Sequence, residues 1–375
     1  MMTPYESLSD AGVSIWLDDL SREALRAGSD VCLADDVAER DVVGVTTNPS
    51  IFAAAIGDGA AYRESIARLL DKHGDPTVED VTFALMIEDV QTACDQMRPV
   101  FDASDGVDGR VSIEVDPRLA HDTDRTIEQA RMLWHAVDRP NLHVKIPATA
   151  EGLPAIAAVI GEGINVNVTL IFSEDRYRAV LGAYLDGLHV AARNGLDLTR
   201  IHSVASVFIS RTDSKVDPLL DSFAESGRGE ARELRGEVGI AVARRCYADF
   251  LESIASPRFT ELEGARPQRP LWASTGVKDP AYEPTRYVTS LIAPTTVNTM
   301  PRATLMALGE LEKVPKDTVR PFLKDAAHVL ERVEAVGVDL DRVYAELERE
   351  GVDKFIDAWN QLCDAVSAAM EAERS

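Results

Sequence analysis

The chain has 375 residues, 45% of them hydrophobic and 27% charged, so it can bury one large core or two ordinary ones, and no stretch suggests bulk disorder. Its net charge of -24 and isoelectric point near 4.7, with no offsetting basic stripe, argue against nucleic acid and anionic membranes as partners. No basic segment with a following apolar run opens the sequence, and no apolar run approaches membrane-spanning length. The four cysteines, Cys32, Cys94, Cys246 and Cys363, lack paired spacing, so reduced thiols in a cytoplasmic protein are expected.

Taken in order, short β-branched runs alternate with longer helical patterns, as in a parallel sheet of βα units. Val13 to Leu17 is the first predicted strand, and Ser21-Arg22-Glu23 then opens a helix with a cap and an early acid. The second strand, Val42 to Val45, runs into Thr46-Thr47-Asn48-Pro49-Ser50, where Pro49 suits a first helical turn and keeps Asn48 extended. From Val78 to Phe101, the apolar positions Val81, Leu85, Val90 and Met97 predict a packing helix without chemistry. Arg110 to Val115 is the third strand. Val111, Ile113 and Val115 share one face and Ser112, Glu114 and Asp116 the other, a polar face that a parallel strand carries only where it lines a site.

A helix from Thr123 to Val137 leads into the fourth strand, Leu142-His143-Val144-Lys145-Ile146-Pro147-Ala148-Thr149, which sets one of the chain's eight lysines inside an apolar run. Burial favours the neutral amine, and a neutral amine is the nucleophile that forms a Schiff base with a carbonyl. A buried structural ion pair would explain the same residue, and the strand alone leaves both readings open. Gly152 to Ile160 is helical. Ile164 to Phe172 is the fifth strand, with Asn165, Asn167 and Thr169 on one face, and Ser173-Glu174-Asp175 caps a helix that stops at Asn194-Gly195.

Val204 to Ile209 is the sixth strand, ending at Ser210-Arg211, and helical segments continue to Ile254. Pro270 to Ser274 is the seventh, and a helix over Tyr287 to Ile292 precedes an eighth at Thr295 to Asn298. Eight strands with interleaved helices fit a (β/α)8 TIM barrel with extra helices better than an open doubly wound sheet. From Ala303 the pattern is helical only. The expectation is a single barrel domain over 1–375 in which 303–375 form a helical extension packed on the barrel.

In a barrel of this kind the active site lies at the C-terminal strand ends, where residues far apart in sequence converge. Those ends carry Asp18, Asn48, Glu114, Lys145, Asn167 with Thr169, Ser210 and Ser274. A lone buried polar strand residue is ordinarily a satisfied core group. A ring of them would need a separate local partner for each, whereas a pocket for a polyol explains them together.

Three segments resemble the transaldolase family. Gly44-Val45-Thr46-Thr47-Asn48-Pro49-Ser50 is similar to its first signature, and Val144-Lys145-Ile146-Pro147-Ala148-Thr149 with Glu151-Gly152 is similar to its Schiff-base lysine signature. Asn167-Val168-Thr169-Leu170-Ile171-Phe172-Ser173 is similar to its fifth-strand motif, and the resemblance spans most of the chain, including the longer bacterial form with a helical tail. It implies a cofactor-free, metal-free (β/α)8 barrel that transfers a dihydroxyacetone unit between sugar phosphates in the pentose phosphate pathway. Lys145 would attack C2 of the ketose, and Asp18 would take the C4 hydroxyl proton, the choice over Asp19 resting on strand alternation and the family pattern. Glu114, with Thr169 and a water, would shuttle protons, while Asn48, Asn167 and Ser210 would hold the dihydroxyacetone hydroxyls. Shorter members carry an arginine soon after the sixth strand and another after the seventh. Here the corresponding phosphate binders would be Ser274, Arg211 and Lys278, with Lys215 in reserve.

No P-loop, dinucleotide fingerprint or HExxH pattern is present, and the seven histidines have no ligand spacing, so neither cofactor nor metal is expected. Sugar phosphates are the expected partners of a monomer or homodimer. A fructose-6-phosphate-type class I aldolase would use the same lysine and is the alternative enzyme. A catalytically dead barrel would be expected to have lost Asp18, Glu114 or Lys145, and all three are present.

Overall fold

A computed structural model describes residues 2–57, 60–73 and 75–374. Its eight strands are β1 (Val13–Asp18), β2 (Val42–Thr46), β3 (Arg110–Glu114), β4 (Leu142–Pro147), β5 (Val166–Ile171), β6 (Ser203–Phe208), β7 (Arg269–Ala273) and β8 (Thr296–Met300). Each pairs in parallel with the next and β8 returns to β1, so the sheet closes as the expected (β/α)8 barrel. The alternation read from β3 has its physical counterpart: Val111 and Ile113 are fully buried in the large apolar core cluster, while Ser112 and Glu114 point into polar contacts across the barrel.

The barrel interior is filled, not hollow. Trp16, Val204, Leu271 and Val297 are packed in one cluster, and Trp16 needs Gly44 on the next strand, because a Cβ there would lie 2.5 Å from its indole. Above them a hydrogen-bonded row crosses the barrel. Asn167 Nδ2 donates to Ser112 Oγ (3.0 Å) and Ser206 Oγ donates to Asn167 Oδ1 (2.7 Å), which satisfies three buried polar side chains without solvent.

Helix boundaries follow their caps. Asp122 accepts from Arg125 N at the start of Thr123–Val137, and Ser173 accepts from Arg176 N at the start of Glu174–Arg193, whose end at Asn194 is followed by Gly195 at φ +74. The helix expected after Ser21 is only one turn, Arg22–Leu25. Arg26 is extended and Gly28 lies at φ +76, so the chain turns before a second helix, Leu33–Arg40. Ser210 is the first residue of the helix Ser210–Glu225 and Ser274 lies one residue beyond β7, so both sit just past their strands.

After β8 come the helix Arg302–Gly309, a stretch over 310–319 without helix that contains Pro315, and then the helices Leu323–Ala335 and Leu340–Arg374. The last, 35 residues long, packs against Pro49–Gly57, Arg63–His73, Val78–Ala103 and Ser210–Glu225 at the C-terminal face of the barrel. Its buried stripe includes Leu347, Gly351, Trp359, Leu362 and Val366. Trp359 is fully buried, its ring 5.0 Å from that of Phe83.

Candidate functional site

Strand register brings the central pair together: Glu114 on β3 lies beside Lys145 on β4, which lies beside Asn167 on β5. Lys145 Nζ donates to the Thr47 carbonyl (2.8 Å) and to Glu114 Oε1 (3.2 Å), and the Thr47 hydroxyl donates to Glu114 Oε2 (2.9 Å). Only 7% of the lysine side chain and 5% of the glutamate side chain are exposed, so neither charge is relieved by bulk water. Burial pushes the Glu114 carboxyl above the usual carboxylate range, while the Lys145 ammonium and the Thr47 hydroxyl pull it down. A carboxyl raised in this way is placed to pass protons to and from the neighbouring amine.

Above the pair opens a cavity of about 760 Å³ lined by Asp18, Asn48, Lys145, Thr169, Arg211, Ser274 and Lys278, among others. Asp18 Oδ1 accepts from the Thr46 hydroxyl (2.8 Å), which lies 2.6 Å from that of Thr299. Its neighbour Asp19 lies outside this cavity, against Arg302 at 3.4 Å in a separate cleft, with burial raising its carboxyl and the guanidinium lowering it. Asn48 Oδ1 accepts from Ile51 N (3.1 Å), capping the helix Pro49–Gly57 and leaving its amide NH2 for the cavity. Thr169 Oγ1 is buried without a hydrogen-bond partner among the described residues. It also borders a much smaller space of about 10 Å³ with Glu114, Lys145 and Phe355.

Two of the sequence-predicted residues are engaged elsewhere. Asn167 spends its amide on Ser112 and Ser206 beneath the lysine, and it is Ser206 that lines the cavity. Ser210 Oγ lies 2.9 Å from Ser274 Oγ, and Ser274, at φ +54, faces the cavity. Among the cations, Lys215 lines the cavity wall but is paired to Glu350 (2.6 Å) and Glu346 (3.0 Å) of the C-terminal helix. Arg211 is half-buried, stacked on Phe208 with its Cζ 5.1 Å from the ring centroid. Its Nη1 is buried with no partner among the described residues, and desolvation lowers its pKa against the opposing pull of Asp18.

Thr46 and Thr47, in the same segment as Asn48, and Thr299, beyond the predicted end of β8, join the site without having stood out in the sequence. So do Lys354, Phe355 and Gln361, which the C-terminal helix contributes to the cavity wall. Among the described residues no group of three or more His, Cys, Asp or Glu is placed to hold a metal ion.

Fold and site together define a (β/α)8 barrel whose mouth is organised round a buried lysine and carboxylate. The family described as transaldolase/fructose-6-phosphate aldolase matches residues 15–366. A protein of Thermobifida fusca named transaldolase is 53% identical over 374 residues, 99% of this chain and 100% of the relative. Proteins of that name from Mycolicibacterium smegmatis and Acidothermus cellulolyticus are 52% and 51% identical, over 98% of both chains and over 100% and 99% respectively. The chain belongs to the transaldolase/fructose-6-phosphate aldolase family.

Proposed function

We propose that this chain is a transaldolase, an enzyme that transfers a dihydroxyacetone unit from sedoheptulose 7-phosphate to glyceraldehyde 3-phosphate, giving erythrose 4-phosphate and fructose 6-phosphate in the non-oxidative pentose phosphate branch. The observation that carries the reading is the buried Lys145 within 3.2 Å of Glu114 at the mouth of the barrel. In its neutral form the amine adds to C2 of the ketose, and loss of water leaves an imine that accepts the electron pair of the breaking C3–C4 bond. Glu114 and Thr169 handle the protons of that step, and the 10 Å³ space between them and Lys145 is close to the ~10 to 15 Å³ one water needs.

Asp18 takes the C4 hydroxyl proton in cleavage and returns it in the aldol step, its carboxylate oriented by Thr46. Asn48 and Ser210 hold the hydroxyls of the transferred unit, with Asn167 acting through Ser206. Arg211, with its unpartnered donor, and the exposed Lys278 bind the phosphate with Ser274. Lys215 stays in reserve because its ammonium is already neutralised by two glutamates.

The full-length relatives carry the name transaldolase, which favours transfer over the class I aldolase alternative. The proposal extends to a cytoplasmic monomer or homodimer; among the described residues no helix is long and apolar enough to cross a membrane. A coupled assay decides the activity. Erythrose 4-phosphate should form from sedoheptulose 7-phosphate beyond one equivalent of enzyme only when glyceraldehyde 3-phosphate is present, at a rate unchanged by EDTA. Release of free dihydroxyacetone at the same rate without the acceptor would make the enzyme an aldolase.

A further inference from the structure

The chemistry proposed above leaves a problem that the catalytic residues alone do not solve. After cleavage, the dihydroxyacetone unit is held on Lys145 as an enamine whose C3 carries the electron pair freed from the C3–C4 bond. If C3 takes a proton, a C–H bond forms where the new C–C bond should. Water then adds to C2, the C–N bond breaks, and free dihydroxyacetone leaves with the lysine restored. The cavity above is wide and polar, at about 760 Å³, and Ser206, Ser274 and Lys354 in its walls are all proton-bearing groups.

We propose that Phe355 of the C-terminal helix is the specificity-determining residue that shields the lysine-bound enamine, so that the unit is passed to an aldehyde and not released to water. This rests on the Schiff-base reading of Lys145. The Phe355 ring centroid lies 6.0 Å from Lys145 Nζ and 5.8 Å from Arg211 Cζ, within reach of both the reacting amine and the cation of the phosphate end. Phe355 borders both the wide cavity and the 10 Å³ space shared by Glu114, Lys145 and Thr169. It is an apolar edge of both spaces at the point where Lys145 and Thr169 also face both, and the smaller space has room for about one water beside the proton shuttle.

A shield works only if it is held. Gly351, Phe355 and Trp359 are spaced by four and share one face of the helix. One turn before the ring, Gly351 lies so close to β5 that a Cβ would be 3.0 Å from Leu170 Cδ2. Leu170 itself stands at φ +63, where the ladder between β5 and β6 shifts register, and this places its side chain under the helix. One turn after the ring, Trp359 is fully buried against Phe83. Lys215 clamps the preceding turns through Glu346 and Glu350, and Arg176 adds a 2.9 Å pair to Glu348. No barrel strand supplies this ring; it comes from an element that begins 40 residues after β8 ends.

The test compares wild type with Phe355→Leu and Phe355→Ala on fructose 6-phosphate in D2O. Each is measured with and without erythrose 4-phosphate, and borohydride trapping is run alongside. In the alanine variant the ratio of free dihydroxyacetone released to unit transferred should rise roughly tenfold, with a smaller rise in the leucine variant. The released dihydroxyacetone should carry one deuterium on the carbon that had been C3, and trapping on Lys145 should persist. An unchanged ratio in folded variants that still trap overturns the role of Phe355. If the alanine variant does not fold, the leucine variant decides by the same ratio. Absence of trapping in the wild type would instead remove the Schiff-base reading on which the inference stands.

Discussion

At the scale of single residues, Asp18 and Asp19 are adjacent in sequence yet differ in what they face: Asp18 lines the wide cavity at the strand ends, and Asp19 is turned to Arg302. Asp18→Asn should keep imine formation while cleavage falls by roughly 10² to 10⁴, the usual worth of a positioned general base. Asp19→Asn should lose far less, and single-turnover cleavage rates separate the two. The cations divide similarly. Neutral Arg211→Gln or Lys278→Gln should raise KM for phosphorylated donors much more than for free dihydroxyacetone, since a charge-assisted contact contributes about 1.5 to 3 kcal/mol. Unchanged discrimination in both would move the phosphate to Lys215. Lys145 was legible because an ammonium in an apolar strand is chemically anomalous. Thr46 and Thr299 were not, because a threonine in a strand is what β propensity alone predicts.

At the scale of elements, the eight strands were readable from β-branched runs and their polar faces, with most boundaries off by a residue or two. The cap at Ser21 was legible and does open a helix, but its length was not: Arg26 turns extended after a single turn, and the sequence there carries no strong stop. The C-terminal helix was legible as amphipathic, but periodicity gives only the buried face. Which side chain of that face meets a cavity formed by strands far earlier in the sequence depends on docking. Gly351 is a point of close docking, where a Cβ would lie 3.0 Å from Leu170 Cδ2. Gly351→Leu should cost roughly 1 to 3 kcal/mol through overpacking against Leu170 and Phe172, while Gly351→Ala, whose methyl meets the flexible end of Leu170 and touches Phe172 at ordinary contact distance, should stay within about 1 kcal/mol. Denaturant unfolding of both variants checks the order.

At the scale of the whole molecule, the outer helices are stitched to one another by a buried acid whose titration couples fold stability to pH. Asp213, in the helix after β6, accepts from Gly239 N (2.7 Å) and from the Tyr287 hydroxyl (2.8 Å), and burial raises its pKa to about 7. The unfolded carboxyl titrates near ~3.9, so the native state holds the extra proton between these values. That contribution is fully present below the unfolded pKa and is lost as pH rises through about 7. Asp213→Asn should therefore remove a decline in stability between roughly pH 4 and pH 7 whose full size is on the order of 4 kcal/mol. Urea unfolding at pH 4 and pH 8 measures it; an equal change in stability between the two pH values in wild type and variant would contradict the assignment.

The central claim is that the chemistry of this barrel runs through one amine, and one measurement addresses it directly. Borohydride added with fructose 6-phosphate should inactivate the enzyme and leave a single covalent adduct on the peptide containing Val144 to Ala148. Lys145→Arg, which keeps the charge but cannot form the imine, should fold normally, trap nothing and be inactive. An adduct on a different lysine, or full activity in Lys145→Arg, would contradict the Schiff-base mechanism.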